Sequence, residues 1–256
     1  MPKYIFRNNI KYNVSQINPY LLNAPTVIIK KMQKPISKLP IMVFGDAPKD
    51  GGYLILSTEE KDNLISENSE VESLIKKYIG AYEYLNGKDR WCLWIDDERK
   101  LQIANSITKI YERFEKVKEN RLLSKDESLQ KLAQRPHQFR DLNEAKEHSI
   151  IIPIVSSERR KYIPVGFLDK EFIIPNSAQA IYDAEPWIFG IISSYMHNLW
   201  VKTVSGKLKT DYRYSSVLCY NTFPFPEISN KQKENLNLYV FSILDERAKY
   251  PSKTMA

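Results

Sequence analysis

Apolar positions along this chain arrive in short bursts whose spacing alternates between that of strands and that of helices. Three bursts, PTVIIKK at 25–31, IMVF at 41–44 and YLIL at 53–56, have strand length, and Asp50-Gly51-Gly52 offers a turn before the last. Ser57 followed by Glu60 forms a capping box, so a helix is expected to begin there. In YEYLNGKDRWCLWI, Asn86-Gly87 between aromatic-rich flanks predicts a β-hairpin. Ile103, Ile107, Ile110, Phe114 and Val117 recur at steps of four and three. That is one apolar stripe on a helix whose other faces carry Lys109, Arg113, Lys116 and Lys118. Ser124 with Glu127 reads as a second capping box, and Pro136 as the stop of the short helix that follows.

Further on, the runs Ile150–Val155 and Tyr162–Leu168 read as two strands around six consecutive hydrogen-bonding residues, Ser156, Ser157, Glu158, Arg159, Arg160 and Lys161. A hairpin would normally place Gly or Asn there. The apolar segment 187–204 suits a helix, 207–220 a strand pair and 229–249 a terminal helix. Strands and helices mix without regular βαβ alternation, which predicts an α+β fold with mixed or antiparallel twisted sheets. The expected layout is a body, 1–228, with possible sub-lobes 1–98 and 141–228 joined by a helical 99–140, and a helical tail, 229–256.

A chain of 256 residues with 43% hydrophobic and 12% aromatic content can bury a real core. No apolar run approaches the roughly 18 residues of a membrane span, and the N-terminus shows no export signal. Cys92 and Cys219 have no metal-type spacing, so a reducing, cytoplasmic setting is expected. The net charge of +7 is unevenly spread. Residues 1–45 hold seven Lys/Arg and no acid, 46–98 hold six basic and thirteen acidic groups, and 99–140 hold eleven and five. A basic side favours a polyanion such as nucleic acid; the plain alternative is a set of solvated Lys-rich helix faces.

Most candidate chemistry has an ordinary explanation. Asn18-Pro19-Tyr20 lacks the second proline of the Asn-Pro-Pro-Tyr motif of amino-methylating enzymes and reads as a turn before Leu21–Leu22. Asp50, Glu59 and Lys61 match the spacing of a metal-dependent nuclease triad, but Glu59 and Lys61 fall in the first turn of a capped helix, where charge is expected anyway. His137, His148 and His197 do not cluster with acids or cysteines, and His197 reads as a packing residue. Two constellations remain: 156–161 and GKLKTDYRYS at 206–215. If the second is one strand, Lys207, Lys209, Asp211, Arg213 and Ser215 share a face. A face mixing Arg, acid and Ser suits base edges, with Lys on phosphates; an exposed face of paired charges is the alternative.

Several phrases in order, FGDAPKDGGYLIL, IGAYEYLNGKDRWCLWI, PIVSSERRKYIPVGFL, SYMHNLWVKTVSGKLKTDYRYS and YNTFPFP, resemble the target recognition domain of bacterial restriction–modification DNA methyltransferases, notably the fused type IIG enzymes. The resemblance covers roughly residues 15–228. It implies a double-stranded-DNA recognition module for adenine-N6 methylation and linked cleavage. S-adenosylmethionine would bind in a methyltransferase domain or subunit outside this sequence, and no catalytic residue or cofactor site is expected here. Glu158, Arg159, Arg160 and Arg213 would face the groove, the basic face of 99–135 would follow phosphates, and the acidic 46–98 would point away. The rivals are a metal-dependent nuclease and a protein-interaction subunit docking on a methyltransferase.

Overall fold

The computed structural model describes residues 1–250 and 253–255. Two strands, β1 (Lys3–Arg7) and β2 (Ile10–Val14), form a hairpin turned by Asn8 and Asn9, both left-handed. Then come β3 (Val43–Phe44), β4 (Ile55–Leu56), α1 (Thr58–Glu67), β5 (Ile75–Tyr78), α2 (Ala81–Asn86), β6 (Trp91–Leu93), α3 (Glu98–Ser106), α4 (Thr108–Leu122) and α5 (Glu127–Leu132). The second half holds β7 (His148–Pro153), β8 (Val155–Ser156), β9 (Gly166–Asp169), β10 (Phe172–Ile173), β11 (Ala178–Tyr182), α6 (Pro186–Ile192) and α7 (Tyr195–Val204). It ends with β12 (Gly206–Leu208), β13 (Asp211–Arg213) and α8 (Asn230–Ala248). The class is α+β, as expected.

Two larger sheets organise two cores. In the first sheet the strand order is β10-β5-β6-β4, and its core holds Leu54, Leu56, Val71, Leu93, Trp94, Ile110, Phe114 and Val117. Helices α3 and α4 therefore pack on this lobe rather than bridging two lobes. The second sheet runs β3-β11-β7-β9, all antiparallel. One face carries the main core, from Ile150 and Ile152 through α6 and α7 to Phe223 and Val240 of α8. Ile151 points the other way, into a small cluster with Ala178 and Ala180 that Tyr84 of α2 partly covers. Both faces of β7 are thus buried, which explains its unbroken apolar run. The second half crosses into the first sheet through β10, parallel to β5, and Ile173 sits in that first core.

The capping box at Ser57 and Glu60 forms as expected, with Ser57 Oγ accepting from Glu60 N–H. Other expectations change. The segment 25–31 has no ladder partner and runs as extended coil. Asn86-Gly87 ends a helix instead of turning a hairpin: Gly87 is a left-handed C-cap (φ 59°), a conformation that suits glycine at either site. The stripe 103–117 is split at Ile107 into α3 and α4. The N-cap of α5 is Asp126, not Ser124, whose hydroxyl accepts from Asp126 N–H one turn earlier. The 187–204 segment is two helices, broken at Ser193–Ser194. Of 207–220, only the first half is strand; Ser216–Tyr220 is a π-type turn. The terminal helix is present as α8.

Candidate nucleic-acid interface

The polar run 156–161 turns no simple hairpin between β7 and β9. Those strands pair from His148↔Asp169 to Ile151↔Gly166, and beyond Pro153, the last residue paired with β11, the chain leaves the sheet. As β8 it joins a small third sheet, β12-β13-β8, with Ser156 opposite Tyr212 and Val155 opposite Arg213. Tyr214 N–H donates to Ile154 O at 2.7 Å, extending that seam. Two stretches more than fifty residues apart are thereby fused into one surface.

Ser157–Arg160 forms a tight turn, with Arg160 N–H donating to Ser157 O at 3.1 Å and Arg159 N–H to Ser157 Oγ at 3.3 Å. Asp211 Oδ1 accepts from Glu158 N–H at 3.2 Å, so the β12–β13 hairpin holds the turn from the side. From α7, Asn198 Nδ2 donates to Lys161 O at 2.5 Å. Beneath lies an apolar floor in which His197 is fully buried. Its Nε2 is 2.9 Å from Tyr214 Oη, and its ring meets Phe223 edge-on. Burial pushes the His197 pKa down to about 3, so the imidazole is neutral and structural. Tyr214 is raised by the same desolvation.

Glu158, Arg159, Lys161, Lys207, Lys209 and Arg213 are exposed, and Ser157, Arg160, Asp211 and Ser215 half-buried. Among the described residues, none of the basic side chains in these two stretches makes an ion pair. Lys207 Nζ lies 3.3 Å from the centroid of the Tyr212 ring, and Lys202 Nζ at 5.9 Å. Cationic groups without carboxylate partners, two lysines of the region lying over the Tyr212 ring, give this region the chemistry to take an anionic ligand.

Three expectations for this surface need correction. The 206–215 alternation is not one strand, because the chain reverses at Lys209–Thr210, where Lys209 is left-handed (φ 56°). Across the hairpin Lys207 faces Tyr212 and Leu208 faces Asp211, so Lys207 stands opposite in face to Asp211 and Arg213. Ser156 is only 3% exposed and belongs to the support, not the rim. Asp211 is already engaged in holding the Glu158 amide. Sequence reasoning passed over Tyr212 and Lys202; the aromatic residues interleaved with lysines in 206–215 were the available signal for Tyr212.

Elsewhere, the basic helix α4 does not stand apart from the acidic segment. Arg113 pairs with Glu60 at 2.5 Å, Lys109 with Glu67, and Lys100 with Asp96 at 2.7 Å. Arg121 is internal, donating to the carbonyls of Pro48, Lys49, Leu132, Arg135 and Gln138. Opposite charge drew these blocks together, so three cations of the expected phosphate-tracking face of 99–135 are bound by the segment expected to point away. The nuclease triad gains no support. Asp50 is buried with its carboxylate accepting from Gly52 and Leu54 N–H, while Lys61 pairs with Asp62. No metal-ligating cluster exists among the described residues. Asn18 closes a turn by accepting from Tyr20 and Leu22 N–H, as expected.

The family model described as "MmeI, target recognition domain" matches residues 23–227. The chain belongs to this family. DNA methyltransferase A of Bacillus subtilis (strain 168) is 44% identical over 245 residues, covering 96% of this chain and 28% of that protein. The structure of the type IIL restriction–modification enzyme MmeI in complex with DNA superposes with a TM-score of 0.89 at 36% identity, over 100% of this chain and 35% of that one. The chain thus spans about a third of the length of these relatives. Target recognition is the role the family name states, and the surface on β12-β13-β8 lies wholly within the matched residues. Among the described residues no helix is long and apolar enough to cross a membrane.

Proposed function

We propose that this chain selects the duplex DNA site for a restriction–modification methyltransferase that modifies adenine N6, in the cytoplasm. S-adenosylmethionine binding and methyl transfer would belong to a methyltransferase domain or subunit that this chain contacts. The observation that carries the reading is the fusion of the 157–161 turn with the β12–β13 hairpin into one unit whose cations are unpaired, Arg213 on one face of the hairpin and Lys207 on the other. Arg159, Arg160 and Arg213 offer forked donors suited to guanine O6 and N7, and Glu158 an acceptor suited to cytosine N4. Lys161, Lys207 and Lys209 are suited to phosphates, where a compact charge positions without reading sequence. Ser157 and Ser215 are adaptable donors at the margin, and Ser156 and Asp211 act by shaping the turn.

The test is a duplex-binding series with single base-pair changes across the target. Arg160→Ala and Arg213→Ala should each cost about 1–3 kcal/mol on the preferred duplex and lose discrimination at one base pair. Lys209→Ala should weaken all duplexes alike. Unchanged discrimination in both arginine variants would remove these residues from the readout.

A further inference from the structure

The segment that precedes β3 is a strap without helix or ladder, yet it is fastened to the turn that directly follows β13. Tyr20 Oη accepts from Ile29 N–H at 2.7 Å, and Ile29 and Leu39 pack against the main core. Met32 N–H donates to Val217 O at 2.9 Å, Asn221 Nδ2 to Met32 O at 2.8 Å, and Ile36 N–H to Asn221 O at 2.9 Å. Tyr220 Oη donates to Pro40 O at 2.9 Å. Residues 217–221 lie in and just after the π-type turn that follows β13, so the strap runs beside the element that carries Arg213.

Between these anchors, Lys30, Lys31 and Lys34 are exposed, and among the described residues none makes an ion pair. No acidic residue occurs anywhere in 1–45 to neutralise them. The contrast with α4 is direct: its basic residues outnumber its acids too, but Lys109 and Arg113 are bound to carboxylates of α1. Holding an open segment in one shape costs backbone entropy that no ladder offsets. A strap pinned by Tyr20, Tyr220 and Asn221 presents its lysines at fixed spacing. Four residues of extended chain, Lys30 to Lys34, reach at most about 14 Å, the distance along the helix axis over which one DNA strand carries roughly four phosphates.

We propose that Lys30, Lys31 and Lys34 form the backbone-tracking arm of the duplex site, in place of the basic helix face of 99–135. This rests on the duplex-binding reading above and deepens it by dividing the work: the β8–β13 surface meets base edges, and the strap grips phosphates alongside.

The experiment measures binding of this chain to a target duplex and a scrambled duplex across a salt series. It compares the wild type, the triple variant Lys30→Gln/Lys31→Gln/Lys34→Gln, and the control Lys109→Gln/Lys116→Gln/Lys118→Gln. Thermal melting of each chain checks that it is folded. The strap variant should lower the log–log salt slope by about 0.9 for each phosphate it no longer neutralises, up to roughly 2.7, and weaken both duplexes by the same factor. The α4 control should keep the wild-type slope. A wild type with a steep slope that the strap variant retains overturns the arm while leaving the duplex reading intact. A slope that falls in the α4 control and not in the strap variant restores the helix face. A wild type that binds neither duplex overturns both proposals.

Discussion

Asp46 follows Gly45, at which a Cβ would come within 2.4 Å of the Ile174 and Pro175 carbonyls, so the chain can pass there only as glycine. This close passage buries the Asp46 carboxyl, which accepts from Asn143 N–H and Nδ2 through Oδ1 while Oδ2 has no partner. Burial raises its pKa from 3.8 to about 7, outweighing the Asn143 hydrogen bonds, and nearby Asp141 and Glu144 add to the rise. The native protein therefore keeps a proton that the unfolded chain releases between about pH 4 and 7. Stability should fall as pH rises through that window and stay lower above it. Asp46→Asn should flatten this slope and gain roughly 3–4 kcal/mol at pH 8, read from urea midpoints at several pH values. Arg121 is the opposite case, a buried cation that carbonyls satisfy completely although burial draws its pKa down to about 10. A lysine cannot spread donors over five carbonyls, so Arg121→Lys should cost about 3 kcal/mol in urea unfolding at neutral pH. Neither role was visible in the sequence, where Asp46 and Arg121 were two more charges in opposite blocks.

Elements changed identity wherever a local signal had two uses. Asn-Gly serves hairpins and helix ends alike, and Gly80 before it, with Glu83 accepting from its N–H, started a helix that left no room for a strand. The polar run 156–161 looked like a turn and is one, but the strand it follows pairs with a hairpin fifty residues later. Asp211 links the two, and it makes the turn depend on the hairpin. Asp211→Ala should speed amide exchange at Glu158 on the order of tenfold, while Arg213 N–H, facing Val155 across the ladder, changes little. Equal acceleration at both amides would mean that the whole sheet had loosened. The alternation in 206–215 was real, and a single reversal at Lys209–Thr210 redistributed its faces.

In the whole molecule, two cores are tied by the crossing strand β10 and by α2, whose Tyr84 packs on the second sheet. Ile173 of β10 is fully buried in the first core, although the residues around it belong to the second half. Ile173→Ala should cost about 2–4 kcal/mol and part the unfolding of the two lobes. Fluorescence reporting Trp91 and Trp94 in the first lobe and Trp187 and Trp200 in the second, read with single tryptophan replacements, should show coincident transitions in the wild type and separated ones in the variant. Charge follows the same large-scale logic. Cations of the basic helices pair with the acidic segment at Lys100, Lys109 and Arg113, whereas among the described residues the lysines of the N-terminal strap and the cations of the β8–β13 surface make no ion pair.

Residue order alone made the α+β class, the capped helix at Ser57, the terminal helix and the two polar constellations legible, because capping, periodicity and run length act over a few residues. The ordered phrases resembling target recognition domains pointed to the family for a similar reason: they are local strings. The joining of 156–161 to 206–215, the pairing of α4 cations with α1, the burial of Ser156 and Arg121, and the fastening of the strap to 217–221 were settled by folding. Each is a pairing between groups tens to nearly two hundred residues apart, and no short-range pattern records which distant carbonyl, carboxylate or strand edge a side chain will meet.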